Sequence, residues 1–205
     1  MPTLLGLYLN PANGDGEEPA PNSTLLNDAQ NIKFNITPGK TYRLRIINLS
    51  AMASNYIEFQ GHELTVIAVD GVPVQAAATS SVYIATAQRM DVLLTAKPTA
   101  TQNYFFVSSL DQTMYGGYFN IAYPNAYGYL VYNSQLPLPT ISVPASFSPI
   151  DDFTLVPYDK QSILSPVSRT ITLNMIFDND DYGINRSVRT YNTPRLDADS
   201  IQGYH

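Results

Sequence analysis

From Lys33 to Tyr132 the chain is a succession of short segments in which apolar and polar residues alternate, separated by Pro, Gly, Asn and Asp. Alternation with period two puts successive side chains on opposite faces of a pleated strand. No stretch sustains the 3.6-residue apolar period of a packed helix. Residues 33–36 alternate and run into the turn Thr37-Pro38-Gly39-Lys40. Residues 42–47 set Arg43 and Arg45 on one face and Tyr42, Leu44 and Ile46 on the other. Segments 55–60 and 63–69 are expected to pair around Gly61-His62, and Asp70-Gly71 is a hairpin-type turn. Segments 81–86, 91–96, 104–108 and 127–132 complete the set. Many short strands with Pro/Gly turns predict an all-β Greek-key sandwich or barrel.

Composition narrows what such a fold could bind. Hydrophobic residues make up 44% and charged residues 14% of the 205, a balance of folded rather than disordered chains. The net charge is −6 and no segment clusters Lys or Arg, which argues against nucleic acid as a partner. There is no Cys, so neither a disulfide nor a thiolate metal site can form within the chain. No apolar run reaches the roughly 18 residues of a transmembrane helix. The opening MPTLLGLYLNPANG lacks a basic region and a cleavage site and does not read as a signal peptide, so a secreted parent is expected to carry its leader upstream of Met1.

Composition shifts divide the chain. Residues 1–24 carry the loop signal Pro11-Ala12-Asn13-Gly14 and read as a linker, and 25–135 hold the strands. Residues 136–168 begin with Pro137, Pro139, Pro144 and Pro149 and read as an extended inter-domain linker. Residues 169–205 open with the alternating RTITLNMIF (169–177), too near the end of the sequence for a second sandwich. That strand is expected to lack intrachain partners and to offer an edge for oligomerisation.

Several blocks agree, in order and spacing, with one family. Asn22-Ser23-Thr24-Leu25-Leu26-Asn27, ITPGKTYRLRIINLSA (36–51), GHELTVIAVDGVPV (61–74), VYIATAQR (82–89) and DVLL (91–94) resemble the second cupredoxin domain of fungal multicopper oxidases. The iron-transport ferroxidases and the laccase-like pigment oxidases are the nearest in kind. Asp151-Asp152-Phe153-Thr154-Leu155-Val156-Pro157-Tyr158 resembles the link into the family's third domain. The resemblance implies a cupredoxin-like Greek-key β-sandwich, copper as cofactor of the parent oxidase, and the remaining oxidase domains or a partner chain as partners. It also implies a secreted or cell-surface location. A non-catalytic sandwich that pairs with a partner chain is the alternative.

The family's copper ligands are imidazoles and one thiolate, held in its first and third domains. This chain offers only His62 and His205 and no Cys, so no copper centre is expected from it alone. His62 is expected to be a structural, hydrogen-bonding residue, and Arg89 to pair with a carboxylate or carbonyls. The ferroxidases bind ferrous iron through acidic residues beside their electron-accepting copper. The resemblance carries one of these positions to Gln60, with Glu58 on the same strand face, and another to Asp151 or Asp152. For those aspartates a turn or cap is the competing reading. Sequons at Asn22, Asn48 and Asn185 are candidate glycosylation sites, and a fourth at Asn35 is followed directly by Pro38.

Overall fold

The alternating segments become strands of two facing sheets. The computed structural model describes residues 21–115, 121–160, 175–179 and 185–190. They fall into two units, Ala20–Gln161 and a second made of Met1–Pro19 with Ser162–His205.

In the first unit the strands are β1 (Asn31–Asn35), β2 (Thr41–Ile47), β3 (Asn55–Phe59), β4 (Leu64–Val69), β5 (Val72–Thr79), β6 (Ser81–Ile84), β7 (Arg89–Thr95), β8 (Tyr104–Leu110) and β9 (Asn125–Val131). One sheet runs β1-β9-β8-β3-β6 and the other β2-β7-β4-β5. β1 lies parallel to β9, and the other pairs are antiparallel. This is an all-β, Greek-key sandwich. Leu64, Val66, Val92 and Leu94 from one sheet meet Ile57, Val82, Phe106 and Leu130 from the other in a shared core. Met90 is buried within it.

Two turns explain the topology. Asp70 and Gly71 both have positive φ (49° and 84°), the two-residue hairpin geometry that matches strand twist, and they join β4 to β5. The expected pairing of segments 55–60 and 63–69 does not occur, because β3 and β4 belong to different sheets. Gly61, at φ +66°, folds the chain from one sheet onto the other, with the His62 N–H on the Phe59 carbonyl at 3.0 Å. At Gly128 of β9 the missing side chain is used directly. A Cβ there would come within 2.0 Å of the Phe106 ring.

Among its described residues the Pro-rich segment forms no strand, and it is tied to the sandwich along their length. The Asn103 amide donates to the carbonyls of Asn133, Leu136 and Pro137. Phe147 stacks on Tyr56 with centroids 5.1 Å apart. Pro149 bridges to Ser81 on β6, and Pro157 bridges to Val74 on β5. Between them Ile150 and Leu155 pack against the core. β6 and β5 are the edge strands of the two sheets, so residues 147–158 run from one edge to the other and cover both. Proline forbids a central strand, not this kind of edge contact.

In the second unit, β10 (Met175–Asn179) pairs antiparallel with β11 (Asn185–Thr190). The expectation that strand 169–177 has no partner is therefore corrected for 175–177. A hairpin needs only a short return, which the residues after 177 supply. Residues 169–174 lie outside the described residues. Among the described residues no helix is long and apolar enough to cross a membrane.

Candidate substrate-side site

β3 is buried in alternation. Asn55, Ile57 and Phe59 face the core, while Tyr56 and Glu58 are half-buried on the outer face. The Gln60 N–H donates to the Phe105 carbonyl (3.0 Å), which prolongs the ladder by one residue. Glu58 and Gln60 therefore share the outer face, as the alternation implied.

Beside them lies a shallow cleft of about 360 Å³ lined by Glu58, Phe59, Gly61, His62, Glu63, Ser80 and Lys97. Burial raises the Glu58 pKa above the ordinary carboxylate range. The Gln60 Oε1 is buried with no hydrogen-bond partner among the described residues. So is Ser81 Oγ, directly across the β3–β6 ladder from Glu58. Buried polar atoms normally find partners, so these two mark an uncompensated polar spot on this face.

His62 is committed at both nitrogens. Its Nδ1 lies 2.8 Å from the Gln60 carbonyl and its Nε2 lies 2.7 Å from the Tyr132 hydroxyl. A carbonyl only accepts, so Nδ1 carries the proton and Nε2 accepts from Tyr132. The Tyr132 oxygen in turn accepts from the Lys97 N–H at 2.8 Å. Tyr104 packs edge-on against the imidazole. Burial lowers the His62 pKa below the ordinary imidazole range, and the Lys97 charge pushes the same way, which suits this neutral tautomer. The structural, hydrogen-bonding role expected of His62 is the one it has.

Asp151 and Asp152 lie elsewhere. The Asp151 carboxylate accepts from the Phe153 N–H (3.0 Å) and caps the 3-10 turn Asp152–Thr154, in line with the competing reading of a cap. Asp152 accepts from the Gln88 side chain at 3.4 Å. Gln88 follows the end of β6, whereas Glu58 stands opposite Ser81 at its start. Glu58 thus stands by the start of this four-residue strand, on the order of 10 Å long, and Asp152 beyond its end, while Asp151 follows Pro149, which bridges to Ser81. Arg89 pairs with Asp70 at 3.0 Å and donates to the Ala87 carbonyl at 3.2 Å, as expected.

Sequence reasoning did not single out Ser81, Lys97 or Tyr132. Ser81 could have been found, since it begins a segment whose outward positions, Ser81 and Tyr83, pair with Glu58 and Tyr56. Lys97 and Tyr132 reach His62 only through the fold.

A copper centre of the blue type needs two imidazoles and a thiolate. The chain has no Cys, and the ring of His62 is consumed on both sides. Among the described residues no three His, Cys, Asp or Glu converge. His205 lies outside the described residues. The residues present do not fit such a centre.

The family profile for multicopper oxidases matches residues 6–135. The chain belongs to the multicopper oxidase family. It is 36% identical, over 87% of its own length and 29% of the relative's, to an iron transport multicopper oxidase of Gibberella zeae. With the iron transport multicopper oxidase of Epichloe festucae it shares 34% identity, over 95% of its own length and 32% of the relative's. Its fold matches the crystal structure of Fet3p, a multicopper oxidase that functions in iron import, with a TM-score of 0.78 and 32% identity. That match covers 86% of this chain and 34% of Fet3p. A laccase from Botrytis aclada matches with a TM-score of 0.55 and 27% identity, covering 72% of this chain and 28% of the laccase. The chain spans about a third of the length of the relatives it matches, and the sandwich is cupredoxin-like.

Proposed function

We propose that this chain is the second cupredoxin-like domain of a fungal multicopper oxidase together with the opening of the third. Its role is scaffold and one wall of the substrate approach, and the copper ligands come from other parts of the parent oxidase or from a partner chain. The donor inventory carries this reading. The chain matches relatives over most of its own length, yet it has no thiolate and its described imidazole is spent on structure.

The outer face of β3 supports the wall. Glu58 is a hard oxygen donor of the kind that favours ferric over ferrous iron, while Gln60 is a neutral amide. Glu58, Gln60, Asp151 and Asp152 are assigned to the substrate side, with ferrous iron or a phenol as substrate. Because burial raises the Glu58 pKa, its grip on a cation strengthens as pH rises through the upper carboxylate range. The parent is assigned to the cell exterior or cell surface.

A chimera tests the assignment. Residues 22–160 replace the matching segment of the Epichloe festucae oxidase. The chimera is expected to load copper and to oxidise phenols, and Glu58→Gln in it to raise KM for ferrous iron while leaving phenol oxidation unchanged. A chimera that folds yet fails to load copper contradicts the scaffold role. An unchanged KM for iron contradicts the role of Glu58.

A further inference from the structure

The sequons are alike in sequence and unlike in the fold. Asn48 is 7% exposed. Its Nδ2 donates to the Ala53 carbonyl (2.8 Å) and the Ile84 carbonyl (3.0 Å), and its Oδ1 accepts from the Ser50 N–H (2.9 Å). Its backbone exchanges further bonds with Gln88 and Ala87. Asn48 is thus a bracket between the loop after β2 and the β6–β7 turn. N-glycosylation replaces one Nδ2 hydrogen with a sugar carbon. Here that would break a buried bond and drive a bulky group through packed backbone.

Asn22 is the opposite case. It is exposed, its carbonyl accepts from the Tyr123 N–H (3.2 Å), and no hydrogen bond engages its side chain among the described residues. Ser23 bridges to Tyr123 in parallel, just ahead of the parallel β1–β9 pairing. Residues 22–24 therefore prolong the edge that β1 makes. Leu25 and Tyr123 stand exposed beside it. Among the described residues no strand lies on the outer side of β1.

We propose that Asn22 carries an N-linked glycan at the open edge of the five-stranded sheet, and that Asn48 carries none. The donor class is a polyprenyl-diphosphate-linked oligosaccharide. The bond from its anomeric carbon to Nδ2 forms as the bond to diphosphate breaks. The diphosphate keeps the electron pair, and Nδ2 releases one proton. A hydrophilic glycan there blocks strand addition to an edge that no strand covers among the described residues. The inference rests on the extracellular reading of the parent.

The test directs the full chain into the secretory pathway of a yeast and maps glycopeptides after enzymatic release in heavy-oxygen water, which marks each former glycan site. The Asn22 peptide is expected to carry the mark and the Asn48 peptide to lack it, and Asn22→Gln to lose one glycan. A marked Asn48 in folded protein overturns the inference. So does an unmarked Asn22 beside a fully glycosylated co-secreted control. Because the leader is supplied, neither result depends on where the parent resides. A parent free of glycan in its own host, beside a marked Asn22 here, would count against the extracellular reading alone.

Discussion

On one side of the sandwich, edge strands β5 and β6 are covered by residues 147–158, which bridge to Ser81, pack against the core at Ile150 and Leu155, and bridge to Val74. On the other side, β1 and β2 have no further strand beside them among the described residues. Sheet edges invite pairing with other chains, and proteins blunt them by covering or by charge. Both devices occur here. The covered side uses backbone and apolar contact, whereas the open side carries Lys33 on β1 and Arg43 and Arg45 on β2. Arg43 pairs with Asp91 of the neighbouring strand. A chain with only 11 Lys and Arg spends three of them on these two strands. The difference indicates that the Pro-rich segment contributes to stability, while the open side is guarded mainly against association.

The largest expected effect lies in the covering segment. Replacing Ile150 and Leu155 together by Ala should cost about 4 kcal/mol, since both are apolar and packed on the core. A denaturant midpoint measures this, and hydrogen exchange at Gln75 should speed up, because its N–H donates to the Val156 carbonyl. No loss of stability would reduce the segment to a tether. Next is Gly128→Ala, expected to cost about 2 kcal/mol by forcing Phe106 aside, with β1 loosened through the Phe34–Phe106 stack.

Tyr132→Phe should cost about 1.5 kcal/mol, because it leaves the Lys97 N–H and the His62 ring without their shared partner. His62 adds a pH signature. Its folded pKa is lowered by burial, so the unfolded chain binds more protons in the window below the ordinary imidazole pKa of about 6.5. Stability should therefore rise with pH through that window and fall on acidification. His62→Gln should flatten the slope in urea melts taken across it. The smallest effect belongs to the open side. Lys33→Ala and Arg45→Ala should each change stability by under about 0.5 kcal/mol, yet increase self-association seen by light scattering.

Much of the sandwich was legible because period-two alternation reports directly on which face is buried. Tyr42, Leu44 and Ile46 pack inward while Arg43 and Arg45 stay out, and Asp70-Gly71 forms its hairpin. Which strands pair was less legible. The turn at Gly61 looks locally like a hairpin, with the Tyr104 ring packed beside it, yet it joins strands of different sheets. The covering segment escaped because its ties are mainly backbone bridges and carbonyls held by Asn103, which composition does not display. Asn48 read as a sequon because a motif records neighbours in sequence, whereas its amide is spent on Ala53 and on Ile84, 36 residues away. The commitment of His62 was foreseen, but its partner at Tyr132, 70 residues on, was not.

A member of a copper-using family, this chain has neither the thiolate nor a free described imidazole for a blue copper centre of its own. This is tested most directly by titrating the purified chain with copper, dialysing against a weak chelator, and recording visible absorption, electron paramagnetic resonance and oxygen uptake with ferrous iron or a phenol. No stoichiometric copper after dialysis, no intense blue thiolate-to-copper band and no oxygen uptake are expected. One retained copper per chain with a blue band, or turnover by the chain alone, would contradict it.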